Sequence, residues 1–275
     1  MSTKTKKGLA VVFALAFLVV SYPGSATAES APAVQKVLEN TKAYLDDLVT
    51  AKDDNTSNDL SLKIETFKQV LDLSSAETKD LEFKLLTADK EERFEAWKKT
   101  SLDKLARALA YYDSERDLLS DPNSITADDI TNIAKHFKEW RESEYLPLVS
   151  EVQDFILIKQ EVKAIQTAGK RLDKVNENLV SLGISSDNKN ISKYLLKAKS
   201  FINSASKLND EAADLFVSRY ISTSTEEATS TDANATSTPP LTSVKDLVRS
   251  SLDAVKGAYQ SFIDVIGLVR KLLIR

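Results

Sequence analysis

The sequence predicts an all-α protein: an elongated antiparallel helical bundle with long helical hairpins and a separate C-terminal amphipathic helix. Three observations carry this. Leu, Lys, Ala, Glu and Asp recur at spacings of three and four, the period of helices that bury one stripe. After Glu29 only four glycines and five prolines punctuate 247 residues, which favours long elements. One glycine, Gly183, sits between two apolar stripes in a very short connection, as an antiparallel helical hairpin requires.

Residues 1–28 read as a secretory signal. Lys4, Lys6 and Lys7 precede an apolar run of twelve, Leu9 to Val20, and Ala26-Thr27-Ala28 offers a small-residue cleavage site. Twelve apolar residues are too few for a span, which takes about 20. The expected mature chain begins at Glu29 and is extracytoplasmic: secreted, periplasmic or at the cell surface. Met1 is the single methionine and there is no cysteine, so the mature chain holds no sulfur. Disulfides, thiolate nucleophiles, iron–sulfur clusters and soft-metal sites are thereby excluded.

A helical bundle is expected over 29–221. Its first helix aligns Val34, Leu38, Thr41, Leu45 and Leu48 and ends in the polar run Asp53 to Asp59; its second aligns Leu60, Ile64, Phe67 and Leu71. Ser75 is expected to cap a new start, with Leu81, Leu85, Phe94, Trp97, Leu102, Leu105, Leu109 and Tyr112 following up to Asp121-Pro122-Asn123, and a division near Thr87 to Asp89. Thr126-Ala-Asp-Asp129 is a capped start with acids in the first turn. Ile130, Ile133, Phe137 and Trp140 form the next stripe. Pro147 lacks an N–H and marks the first turn of a new helix or a kink. Beyond it Val152, Phe155, Val162, Ile165, Leu172, Val175, Leu179 and Leu182 lead to Gly183, which suits the left-handed position after a helix, with Ile184 as its apolar contact. Asp187 or Asn188 caps the return helix, whose stripe is Ile191, Leu195, Ala198, Ile202, Ala205, Ala212 and Leu215.

Lys170-Arg-Leu-Asp-Lys-Val-Asn-Glu-Asn-Leu179 and Lys193-Tyr-Leu-Leu-Lys-Ala-Lys199, with the Thr/Ser-rich segment behind them, resemble uncharacterised secreted helical proteins of candidate-phylum bacteria. The resemblance covers about a quarter of the chain and implies location and shape.

Residues 222–240 carry ten Ser or Thr in 19 positions and no large apolar side chain, the composition of a disordered linker. Residues 241–275 follow as the amphipathic helix, with Val244, Val248, Leu252, Val255, Tyr259, Phe262, Ile266, Val269 and Leu273 at helical spacing. Charge separates along the chain: from Glu29 to Pro240 the net is −10, and from Leu241 onward six basic residues face three acidic ones. An acidic body argues against nucleic acid as a partner.

No residue pattern carries a catalytic, cofactor-binding or metal-binding assignment, and no cofactor is implied. His136, the single histidine, lies in a helical pattern without a Gly-flanked serine that could form a nucleophile elbow. His136 with Glu139 is one reversed pair, whereas a di-iron bundle uses Glu-x-x-His twice. Asp53 to Asp59 fails the calcium-loop pattern, because Asn58 stands where glycine is needed and Ile64 where the bidentate glutamate belongs. Glu91-Glu92 and Asp128-Asp129 are adjacent on helices and point in different directions. Trp97, Trp140 and Tyr111-Tyr112 are expected in the core, with a ligand groove as the alternative. Asn55, Asn190 and Asn234 stand in glycosylation acceptor patterns.

The functional expectation is a non-enzymatic structural or interaction protein whose partner is another protein or a second copy, engaged through residues 241–275. A membrane-active or membrane-anchored protein, in peripheral contact through that helix, is the first alternative; a metal- or ligand-binding bundle is the second.

Overall fold

The structure, a computed structural model, describes residues 34–43, 59–121, 124–185, 188–221 and 243–273. The expected signal (1–28), the polar run before Asp59, Asn55, Asn234 and the expected linker (222–240) lie outside the described residues. What is described is helical, without a strand: α1 (34–43), α2 (Asp59–Thr87), α3 (Glu92–Leu118), α4 (Ala127–Trp140), a π turn (Arg141–Tyr145), α5 (Leu146–Ser181), α6 (Lys189–Phe216), a second π turn (Val217–Ile221) and α7 (Val244–Leu273). The all-α helical bundle expected from the sequence is what forms.

By contact the residues gather into two units. The first comprises residues up to Thr87 together with Lys98–Val152; the second comprises Ala88–Trp97 and Gln153–Arg275. The boundary drawn from the sequence between a body and a last helix follows the chain, whereas the contacts place α7 in the same unit as α6.

The first unit is built around rings. Phe67 of α2 meets Phe137 of α4 edge-on at 5.4 Å, and Tyr112 of α3 stands edge-on to Trp140 at 5.6 Å and to Tyr145 at 5.9 Å, the arrangement favoured by ring quadrupoles. Leu71, Leu85, Leu105 and Ile130 are fully buried around them. The buried Thr41 of α1 donates to its own helix at Val37 O (2.8 Å) and lies 3.2 Å from Gln69 O of α2.

The expected break at Ser75 is absent: α2 runs through it to Thr87. Ser74 and Thr78 turn their hydroxyls back onto the carbonyls of Val70 (2.9 Å) and Ser74 (2.8 Å), and a hydroxyl occupied in this way no longer supplies an alternative to the helix. The division expected near Thr87 to Asp89 does occur, since α2 ends at Thr87 and α3 starts at Glu92.

Thr126 caps α4 through a reciprocal box with Asp129. At Pro147 the chain neither stops nor starts afresh: α4 passes through the π turn directly into α5. Proline cannot donate to the carbonyl four residues earlier and its ring crowds that carbonyl. A π turn closes over five residues instead of four, as in the bond from Leu146 N–H to Arg141 O, and so takes up the misfit just before the proline.

In the second unit α5, α6 and α7 pack in layers. Leu179, Ile191, Leu195 and Val265 form one layer; Ala198, Ala258 and Phe262 the next; Ala168, Ala205 and Val255 a third. These pairings make α5 and α6 antiparallel and α7 parallel to α5. Small residues at the centres let the backbones approach, and Gly257 is needed for this: a Cβ there would lie 2.9 Å from the Phe201 ring. Gly183 closes the hairpin at φ 66°, with Gly183 N–H on Val180 O and Ile184 N–H on Leu179 O, both at 2.9 Å. Ile184 packs on the Leu179 layer, completing the glycine stop. Asn188 accepts from Asn190 N–H at 3.1 Å to start α6.

Candidate functional site

Two features have the chemistry to be a site, one in each unit. The first surrounds the π turn at Arg141–Tyr145. Arg141 opens that turn and Tyr145 closes it, so both side chains are delivered to α2. The Arg141 guanidinium donates to Glu77 at 3.0 Å and lies 3.4 Å from the Ser74 hydroxyl, while Tyr145 shares a 2.8 Å hydrogen bond with Thr78. The guanidinium also stands 5.0 Å from the centre of the Tyr145 ring, a cation–π contact.

Burial pushes the Glu77 carboxyl up against the pull of Arg141, and burial likewise raises the Tyr112 and Tyr145 phenols. Shifted groups gathered at a π turn are what a catalytic site can look like. Access decides otherwise. Glu77 is 4% exposed, Arg141 3% and Tyr145 1%, so a substrate could reach the cluster only by parting α2 from α4. The arrangement is that of a buried, paired and hydrogen-bonded charge, which holds two helices in register and is costly to break.

An open groove of about 510 Å³ does exist in this unit, lined among others by Val34, Ser75, Lys79, Phe83, Leu109 and Arg116. Arg116 there is tied to Asp72 and, at 3.0 Å, to Asp113.

The second feature is the outer side of α7. The nine-residue stripe expected from the sequence divides in two. Val244, Val248, Val255 and Phe262 are buried, together with Ser251, Ala258 and Val265, whereas Leu252, Ile266 and Leu273 are exposed. The buried row is 244, 248, 251, 255, 258, 262 and 265; one residue on lies a second row at the same spacing: Lys245, Arg249, Leu252, Lys256, Tyr259, Ile263, Ile266, Arg270 and Leu273. Every member of the second row is exposed except the half-buried Tyr259. It contains four basic residues, four aliphatic ones and no acid. Asp246, Asp253 and Asp264 all fall off this row, and Asp246 is engaged with Ser243 in a capping box that starts α7 (Ser243 N–H to Asp246 at 3.2 Å, Asp246 N–H to Ser243 at 3.1 Å).

Polar groups brace the inner side. Ser251 donates to Glu161 of α5 at 2.7 Å and lies 2.9 Å from Ala205 O of α6, and burial raises the Glu161 carboxyl. Lys245 lies 4.0 Å from the buried Asp154, which also accepts from Tyr220 at 3.2 Å; burial pushes Asp154 up.

Of the residues singled out in the sequence, Tyr111, Tyr112 and Trp140 meet, with Tyr111 4.1 Å and Tyr112 5.6 Å from the Trp140 ring, centre to centre. His136 is exposed on α4, as is Glu139. Among the described residues no group of three or more His, Asp or Glu side chains could hold a metal ion. Trp97 packs with Phe155 and Phe216 in the second unit, at 5.0 and 4.8 Å, while Tyr111, Tyr112 and Trp140 belong to the first. Trp97 and Tyr112 are buried in the core, as expected, whereas Tyr111 and Trp140 are half-buried. Burial works against ionised Glu91, but its bond to Lys159 and the charges of Lys159 and Arg93 outweigh this and hold its carboxyl below the usual range. Asp129 is lowered by Thr126 in the α4 cap. Asn190 is exposed in the first turn of α6.

Sequence reasoning missed the Glu77–Arg141 pair and the second row of α7. Nothing local marks the former, since its partners are 64 residues apart. The latter was legible as a 4-3 spacing one residue out of phase. Among the described residues no helix is long and apolar enough to cross a membrane. No family model, curated protein or solved structure matches the chain.

Proposed function

We propose that this is an extracytoplasmic, non-enzymatic interaction protein, exported by the signal at residues 1–28, whose helical body presents the outer row of α7 to a partner. The observation that carries this reading is the contrast between the two features above. The shifted, charged groups are sealed, and the accessible chemistry is a basic, aliphatic helix face with no acid in it. Large exposed aliphatic side chains in a regular row mark a binding surface more often than scattered ones do.

The resemblance of residues 170–199 to secreted helical proteins is in keeping with export and adds nothing about a partner. The test is cell fractionation of the native chain beside a variant with Leu252, Ile263 and Ile266 replaced by Ser. The reading expects the native chain with the cell envelope or a retained complex and the variant released. Identical fractionation of the two would overturn it.

A further inference from the structure

Resting on that reading, we infer that the outer row of α7 is a docking surface for an anionic lipid bilayer, which the helix meets lying along the surface while it remains packed on α5 and α6. The row runs from Lys245 to Leu273, about 42 Å at 1.5 Å per residue. Its composition changes along its length. Lys245, Arg249 and Lys256 alternate with Leu252 in the first half, and Ile263, Ile266 and Leu273 surround Arg270 in the second. Aliphatic side chains interleaved with lysine and arginine, with a tyrosine between, are what an interfacial helix offers to headgroups and the acyl boundary beneath them.

Charge selects the occupant. Lys256 is bound to Asp253 at 2.9 Å, an exposed pair of little worth, and Lys245 lies 4.0 Å from Asp154. Arg249 and Arg270 make no salt bridge within 4 Å among the described residues; Arg249 acts on Asp246 of its own helix only through its charge. A second copy docked face to face would set one basic row against another, which is repulsive. A negatively charged sheet meets all four cations at once. The net −10 between Glu29 and Pro240 means that the rest of the chain adds no overall attraction to such a sheet, so the row's own cations must supply it.

The buried row explains why the helix need not leave its unit to bind. Val244, Val248, Ser251, Val255, Ala258, Phe262 and Val265 are already covered by protein, so the outer row is presented preformed. Burial of only the outer aliphatics is shallow and reversible, in keeping with a helix that cannot span.

The experiment is flotation of the chain beginning at Glu29, so that Leu9 to Val20 cannot itself partition, with vesicles of phosphatidylglycerol and phosphatidylcholine and with phosphatidylcholine alone, at physiological salt. The unaltered chain should float with the anionic vesicles and stay behind with the neutral ones. Ile263→Ser with Ile266→Ser should weaken partitioning by about tenfold or more. Arg249→Gln with Arg270→Gln should weaken it by about tenfold and flatten its dependence on salt. Lys170→Gln with Lys199→Gln, exposed but off the row, should leave it unchanged. All three variants alter exposed positions and should keep the helical circular dichroism and melting temperature of the parent. No flotation of the unaltered chain, or flotation equal in all variants, would overturn the inference. If, in addition, the serine variant were released from the cell envelope while the native chain ignored anionic vesicles, the lipid assignment would fail and the interaction reading would stand with a protein as occupant.

Discussion

In the first unit Glu77 and Arg141 meet inside the protein, between α2 and the π turn, whereas in the second Arg249 and Arg270 stand outside on α7 among isoleucines and leucines. The buried pair runs against the simple rule of charge outside and aliphatic inside, and so do the exposed leucines and isoleucines beside those arginines. A buried charge survives only when paired and hydrogen-bonded, and removing one partner leaves the other stranded. An exposed aliphatic costs the fold little and is free to act elsewhere. The difference teaches where to look for each consequence: mutations in the sealed cluster should be read in stability, and mutations on the outer row in binding.

The largest effect expected is at the sealed pair. Glu77→Leu should cost about 3 to 5 kcal/mol, and adding Arg141→Met should return most of it, because the pair's cost is the stranded charge. Urea denaturation of the two variants measures this, and a neutral single variant would break the comparison.

Next come the layers of the second unit. Leu195→Ala should cost about 2 to 5 kcal/mol, while Lys197→Ala, two residues on and exposed, should stay within about 0.5 kcal/mol. Thermal melts of both place the buried face of α6, and equal losses would mean that the face is wrongly assigned.

The glycines of α7 sharpen the contrast between its two sides at a smaller scale. Gly257→Ala brings a Cβ to 2.9 Å from the Phe201 ring, whereas a Cβ at Gly267 meets nothing within 4 Å. The first should destabilise by about 1 kcal/mol, the low end for overpacking because a ring edge can tilt. The second should stabilise by up to about 1 kcal/mol through helix propensity. Opposite shifts in melting temperature are the expected outcome.

The smallest effect is a pH dependence at Glu161. Burial raises its carboxyl above the ordinary 4.5 in the folded state, so the folded protein binds this proton more readily than the unfolded chain. Stability from this group is full below about pH 4.5 and is lost as pH rises through the folded value. Glu161→Gln keeps an oxygen for Ser251 and removes the charge. Its melting temperature should therefore rise relative to the parent on going from about pH 4 to about pH 7, and a relative fall would contradict the assigned burial.

Much of this fold is written locally. The Gly183 stop and the Thr126 cap are short motifs whose hydrogen bonds lie within a few residues, and both form where the spacing places them. Ser75 misled because residue type alone suggested a cap; here α2 continues through it, its own hydroxyl is buried without a hydrogen-bond partner among the described residues, and Ser74 and Thr78 are the ones bonded backward. Pro147 announced a disturbance without its form, since whether the chain kinks, stops or widens into a π turn depends on what Arg141 and Tyr145 can reach. Ser243-Val-Lys-Asp246 carried a readable capping box that marks the true start of α7. The width of the α7 stripe was visible in the sequence, but which part of it is covered depends on α5 and α6. The sealed pair was illegible because tertiary packing alone joins α2 to the π turn.

The absence of cysteine gives the central claim, that α7 buries one row and presents the next, its most direct measurement. Single cysteines placed at 258, 262 and 265 and at 252, 263 and 266 can each be labelled with a thiol reagent in the native protein. The account predicts fast labelling at 252, 263 and 266, and protection at 258, 262 and 265 that is lost only on unfolding. Equal rates for the two rows would contradict it.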